Sequence, residues 1–145
     1  MIMTVTTNLI ADSISGYLAL WNESDDGKRA KLAEQIFTAD ASYVDPMVSA
    51  AGRETIVATV GAVQQQFPGW TFRLIEPDSA AATSTPGIDS HHNLARFGWT
   101  LSPEGTEDPS NPAVAPIVGF DVAVVTTGGQ ITAVHGFLDK VPVGD

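Results

Sequence analysis

The stretch Ile117-Val118-Gly119-Phe120-Asp121-Val122-Ala123-Val124-Val125 constrains this chain more than any other. It is short, valine-rich and bounded by turn residues, which predicts a β-strand. Thr127-Gly128-Gly129 follows as a hairpin turn, and Gln130–Lys140 returns as a second strand. Both strands are apolar on alternate and intervening positions alike, so neither face suits water. One face is expected to pack on helices around a cavity and the other to meet a second subunit. A single carboxylate, Asp121, interrupts the apolar run. Buried, charged and unpartnered, it would cost several kcal/mol. It therefore needs a partner, a shifted pKa or a chemical purpose.

Helical periodicity comes earlier in the chain. Ile10, Ile14, Tyr17, Leu18 and Trp21 form one stripe over residues 8–22, with Thr6, Thr7 and Asn8 as N-cap candidates. Gly16 is a weak point there, tolerable if a neighbour packs closely. A second helix is predicted over 27–37, with Leu32, Ala33, Ile36 and Phe37 inward. A third is predicted over 52–67, carrying Ile56, Val60, Val63 and Phe67 and ended by Pro68-Gly69. Residues 40–45 read as a short extended piece stopped by Pro46. Strands are predicted over 71–76, 90–102, 115–126 and 130–140, with loops over 80–87 and 103–112. Helices followed by antiparallel strands give an α+β class.

The 145 residues are expected to form one domain, large enough for a true core. With 17 acidic and 7 basic residues, the net charge of −10 disfavours nucleic acid and anionic lipid as partners. The absence of cysteine excludes disulfides, thiolate nucleophiles and cysteine metal sites. No apolar run reaches membrane-spanning length, and Met1-Ile2-Met3-Thr4 does not open a signal peptide, so a cytoplasmic location is expected.

Strand alternation sorts the candidates for chemistry. If Asp121 faces the cavity, so do Gly119, Ala123 and Val125. Phe97, Trp99 and Leu101 share one parity with His91 and Asn93; His92, Leu94 and Arg96 share the other. Asp45, in Tyr43-Val44-Asp45-Pro46, suits either a general base at a pocket mouth or a turn-forming residue capping nearby amides. Tyr17 suits either a donor to a ligand or a core residue with a satisfied hydroxyl. For Asp121 the alternative is an edge position where the carboxylate reaches water. His91 and His92 next to Asp89 are poorly disposed for a metal, because adjacent strand residues point apart. No metal and no cofactor are expected. No nucleophile elbow, phosphate loop or dinucleotide fingerprint is present.

The landmarks Tyr17-Leu18-Ala19-Leu20-Trp21-Asn22, Phe37-Thr38-Ala39-Asp40-Ala41, Tyr43-Val44-Asp45-Pro46, Gly52-Arg53-Glu54-Thr55-Ile56, Arg96-Phe97-Gly98-Trp99 and Gly136-Phe137-Leu138-Asp139-Lys140 span nearly the whole chain. On these the chain resembles the nuclear transport factor 2-like superfamily, and within it the SnoaL-like and ketosteroid-isomerase-like proteins. The resemblance implies a cone-shaped barrel: a curved, largely antiparallel mixed sheet and three N-terminal helices around an apolar pocket. It places Tyr17, Asp45 and Asp121 on the three catalytic positions of ketosteroid isomerases. The mechanism is theirs, carried over by resemblance. Asp45 would move a proton beside a carbonyl, while Tyr17 and a protonated Asp121 would donate to the enolate oxygen. Trp21, Val60, Phe67, Trp70, Phe97, Trp99, Val134 and Leu138 would bind the substrate.

Some positions depart from that pattern. Val60 and Phe37 stand where isomerases often carry further tyrosines. Trp70, Phe97 and Trp99 are bulky enough to shrink the pocket. SnoaL-like cyclases draw their acid–base aspartate from the late strands, where Asp121 sits. Limonene epoxide hydrolases need an Asp-Arg-Asp set, but Arg96 has the wrong parity and Gly136 replaces a carboxylate. The reading is thus a cofactor-independent isomerase or cyclase acting on a small apolar carbonyl compound, as a homodimer paired through the outer sheet face. The competing reading is a ligand-binding or dimerisation module, with Asp121 exposed to water or paired with Arg96 or Arg73.

Overall fold

Among the described residues, two helices, a pair of strands and a third helix precede the other five strands of one seven-stranded sheet. The computed structural model describes residues 7–75 and 87–142. The N-cap side chains expected at Thr6, Thr7 and Asn8, the residues Met1–Thr4, Glu76 and the loop over 80–86 lie outside that description.

Helix α1 is Thr7–Asn22, α2 is Asp26–Ile36 and α3 is Arg53–Gln66. The α1 stripe buries Ile10, Ile14, Tyr17, Leu20 and Trp21. Gly16 has its packing neighbour: a Cβ there would stand 3.2 Å from Ile36 Cδ1, so α1 and α2 approach closely. Asp25 caps α2 by accepting from the Lys28 amide at 2.9 Å. Arg29 is buried beneath α2, donating to Asp26, Gln64 and the Glu23 and Ser24 carbonyls, which ties α2 to α3. Gly52, at φ 93°, makes the turn into α3.

The strands are β1 Phe37–Val44, β2 Ser49–Ala51, β3 Trp70–Leu74, β4 Ile88–His91, β5 Leu94–Pro103, β6 Ile117–Val125 and β7 Ile131–Lys140. Their order is β2-β1-β7-β6-β5-β3, with β4 pairing β5 beyond β3. All pairs are antiparallel except β1 with β7. Register shifts interrupt β1–β7 once and β6–β7 twice. Such bulges bend strands, and here they accompany the curl of the sheet around the helices.

Three elements differ from the sequence-based expectation. Phe37 opens β1 instead of closing α2, and β1 runs well ahead of residue 40. Pairing with β7 supplies that extra length, since Phe37 sits opposite Ile131. Thr38, Ala39 and Asp40 lack the apolar alternation that would have revealed it. The strand expected over 90–102 is a hairpin: β4 and β5 turn through His92, whose φ is 52°, and Asn93. His92 is therefore a turn residue and shares no strand face. The sequence predicts no strand over Ser49–Ala51, yet β2 pairs there with the end of β1. The segment after β5 is a loop, as expected. It lies against the outer sheet face, where Thr100 Oγ1 donates to the Pro109 carbonyl at 2.8 Å. That end of the outer face is covered by the chain itself. The rest presents Phe120 stacked on Phe137, with Val122, Val124 and His135 on the same side of the ladder. No described helix is long and apolar enough to cross a membrane.

Candidate active site

The concave side of the sheet and the three helices leave a cavity of about 400 Å³. That lies within the roughly 300–1,000 Å³ of small-molecule sites. Its wall is largely apolar: Leu18, Val48, Ala62, Val63, Phe67, Phe72, Leu101, Ile117 and Leu138 contribute. Among the described residues its charged side chains are Asp45 and Asp121. Met47, Phe137 and Val141 form an exposed apolar rim.

Asp121 lies on β6 with 3% of its surface exposed. Alternation explains its direction: Asp121, Ala123 and Val125 are buried together on the inner face, as are Phe97, Trp99 and Leu101 on β5. Phe97 stands directly opposite Asp121, and Gly136 flanks it on the other side. Tyr17 Oη donates to Asp121 Oδ2 at 2.9 Å, and Trp99 Nε1 donates to Oδ1 at 3.1 Å. Two glycines make room for this. A Cβ at Gly136 would lie 2.9 Å from Asp121 Oδ1, and one at Gly119 would collide with the Trp99 ring and the Phe137 carbonyl. The Trp99 indole thus lies over Gly119 and reaches the carboxylate two residues along β6.

Burial is the main force on this carboxyl and raises its pKa; the Trp99 and Tyr17 hydrogen bonds pull back, and the Asp45 charge pushes up again. The outcome is about 6. Burial, then the charge of Asp121, drives the Tyr17 hydroxyl well above its ordinary value. Among the described residues Asp121 makes no ion pair; Arg96 pairs instead with Asp89 at 3.3 Å, and both side chains are exposed.

Asp45 follows β1 at the cavity mouth and is partly exposed. Its Oδ1 accepts the amides of Met47 and Val48 at 2.8 and 2.9 Å, a turn-forming arrangement. Its Oδ2 accepts the Tyr43 hydroxyl at 2.5 Å. Asp45 therefore both lines the cavity and builds its own turn. Asp45 and Asp121 flank Gly136, since a Cβ there would lie 3.3 Å from Asp45 Cβ as well.

Tyr17, Asp45 and Asp121 thus meet in one cavity, and Trp21, Phe67, Trp99 and Leu138 stand on its wall. Val60, Phe97 and Val134 are instead packed solid behind it, Phe97 against the Tyr17 ring at 5.7 Å. Trp70 lies against Phe67 at 5.0 Å, away from the wall. Sequence reasoning missed Tyr43 as a polar member of the site, the carboxylate-holding role of Trp99, and the two glycines. The signals existed: Tyr43 and Asp45 are two apart on extended chain and share a face, and an inward glycine in an apolar strand marks a close approach.

With this geometry in view, similarity to solved structures is informative. A candidate isomerase of the SnoaL-like family from Agrobacterium tumefaciens is 34% identical to this chain, covering 92% of it and 99% of that protein, with a TM-score of 0.73. The chain belongs to the SnoaL-like family. A candidate SnoaL-like polyketide cyclase from Jannaschia shares the fold at 11% identity, covering 92% of this chain and 90% of its own, with a TM-score of 0.61. A protein with a ketosteroid-isomerase-like fold from Catenulispora acidiphila, solved with trimethylamine, shares it at 16% identity, covering 86% and 82%, with a TM-score of 0.60. No family model and no curated protein matches the chain. In this SnoaL-like chain the fold's pocket holds two carboxylates, two phenols and the Trp99 indole donor, with Trp21, Thr59 and Gln66 as further polar-bearing residues in a largely apolar wall.

Proposed function

We propose that this SnoaL-like protein is a cofactor-independent acid–base enzyme that moves a proton on a small apolar carbonyl compound, as an isomerase or cyclase does. One observation carries the reading: Asp121 is buried on the wall of the cavity with its two oxygens held by Tyr17 and Trp99. A carboxyl titrating near 6 is close to neutral pH, where a general acid or base works best.

The hydrogen-bond directions bear on the division of roles. Tyr17 has a single hydroxyl hydrogen, and it points at Asp121. Asp121 is thus the acceptor in the unliganded site, and we assign it the abstraction of the proton beside the carbonyl, as in the cyclase-like arrangement. Once protonated, Asp121 can donate to Tyr17, which frees the Tyr17 hydrogen for the enolate oxygen. Tyr17 and protonated Asp121 then form the donor set of the isomerase arrangement. Asp45, at the mouth, would accept that proton from Asp121 and return it at another carbon, which leaves both carboxylates as they began. The alternative with Asp45 as the first base requires Asp121 protonated from the start. The two differ in sign. With Asp121 as base the rate rises with pH through about 6; with Asp45 as base and Asp121 as donor it falls there.

The test is a screen of small enolisable ketones and polyketide-like aldehydes for deuterium exchange from solvent, with Asp121→Asn and Asp45→Asn in parallel. Exchange lost in Asp121→Asn with ligand binding retained supports the proposal. Undiminished exchange in that variant removes it. We also propose pairing of two copies through the Phe120–Phe137 side of the sheet, in the cytoplasm; sedimentation equilibrium at a monomer mass would oppose the pairing.

A second reading is ligand binding without turnover. It is favoured by Asp45, whose three donors are what a turn requires. Its ligand would be a small amine, because among the described residues the wall carries two carboxylates and no cationic side chain, and the Catenulispora protein was solved with such a compound.

A further inference from the structure

The chain has two tyrosines in all, and each donates to one of the two carboxylates of the cavity. Tyr17 on α1 holds Asp121, and Tyr43 on β1 holds Asp45. Tyr43 is buried, and its backbone is fixed on both sides by Ala50 of β2 and Val134 of β7. Its ring packs against Trp21 at 5.7 Å, so its hydroxyl has little freedom to leave. The two loop amides already take Oδ1 of Asp45. Its Oδ2 is the oxygen left for chemistry, and Tyr43 is the side chain bonded to it.

We propose that Tyr43 is a positioning residue for the proton chemistry of the cavity, which aims Asp45 Oδ2 and forms with Asp45 a second phenol–carboxylate pair opposite Tyr17–Asp121. The proposal rests on the acid–base reading of the same site. A donor to a carboxylate favours its charged form. Each carboxylate thus reaches the cavity with one oxygen held by a phenol, and the two stand across one glycine. The titratable groups around Asp45 are few: Tyr43 from β1, Tyr17 from α1 and Asp121 from β6. The cavity-facing residues of α3, β3 and β7 carry no charge.

Because Tyr17 and Tyr43 are the only tyrosines, full-length protein grown with 3-fluorotyrosine gives two fluorine resonances, one per pair. Tyr43→Phe assigns them by removing one. In the otherwise unaltered protein, the Tyr43 resonance is expected to move with the Asp45 carboxyl and the Tyr17 resonance with Asp121. In Tyr43→Phe, the carbon resonance of the Asp45 carboxyl is expected to shift as its phenol donor is lost, while the Tyr17 resonance keeps its dependence on Asp121. Two results would overturn the proposal. One is a Tyr43 resonance indifferent to pH across the carboxyl range, which is decisive even if Tyr43→Phe does not fold. The other is an unmoved Asp45 carboxyl resonance in a folded Tyr43→Phe, which would leave Tyr43 a packing residue. Neither readout needs turnover, so coupled resonances in an inert protein would sink the acid–base reading and with it the positioning role, whereas uncoupled resonances would overturn the Tyr43–Asp45 pair whatever the turnover.

Discussion

Asp121 and Asp45 are the same side chain in two settings, a few ångströms apart across Gly136. Asp45 is held by its neighbours in sequence: Tyr43, Met47 and Val48 supply every hydrogen bond. Asp121 is held by residues 104 and 22 positions away. The first is a local turn that the chain could sample before the cone closes. The second exists only when α1, β5 and β6 are assembled. The settings also differ in water, since Asp45 is partly exposed and Asp121 is not. Burial with only neutral donors is what lifts Asp121 toward neutrality. The contrast teaches that a carboxyl lifted toward neutrality needs distant parts of the chain to dry it, whereas one held by a turn can be satisfied in place.

The comparison can be broken most forcefully at Asp121. Asp121→Asn should lower the rate on any accepted substrate roughly a hundred- to ten-thousand-fold, the span of general acid–base catalysis. Kinetics at fixed pH check this; a loss no larger than tenfold would put the reactive role elsewhere.

Stability against pH separates the two settings next. In the folded state Asp121 titrates at about 6, above its unfolded value of 3.8. The folded state therefore binds the proton more tightly, so this group's favourable contribution is complete below about 3.8 and is lost as pH rises through about 6. The difference is on the order of 3 kcal/mol. Urea melts between pH 4 and 7, taken as wild type minus Asp121→Asn, should show that fall.

Gly136→Ala sharpens the comparison by wedging a methyl group between the carboxylates, 2.9 Å from Asp121 Oδ1. A destabilisation of about 1–3 kcal/mol is expected from overpacking. The Tyr17 hydrogen bond should weaken with it, detectable in the fluorotyrosine spectrum. The smallest effect belongs to Asp45→Ala, which removes turn and phenol acceptors at a partly wet site. A cost near 1 kcal/mol is expected, with no change in the Asp121-dependent slope beyond a modest downward move of its midpoint as a repelling charge disappears.

Much of this was legible from residue order. The α1 stripe, the third helix and the Thr127-Gly128-Gly129 hairpin are set by local periodicity and turn chemistry, and they stand within a residue or two of expectation. Parity sorted Asp121, Phe97 and Trp99 onto the inner face. Parity does not report depth, however. Phe97 and Val134 share the inner face with Trp99 and Leu138, yet they end in solid core and not on the cavity wall. The early start of β1 depends on its parallel partner β7, more than ninety residues away. The β4–β5 break depends on one positive φ at His92, a residue type that gives no strong turn signal. The direction of the Tyr43 hydroxyl and the place of Trp99 over Gly119 are tertiary facts of the same kind.

The central claim is that Asp121 is a dry, cavity-facing carboxyl poised near neutral pH by its surroundings. Its side-chain carbon, followed by NMR from pH 3 to 9, tests that most directly. A midpoint near 6 that climbs further when Tyr17 is replaced by Phe is the predicted result. A midpoint near 4, unmoved by that replacement, would contradict it.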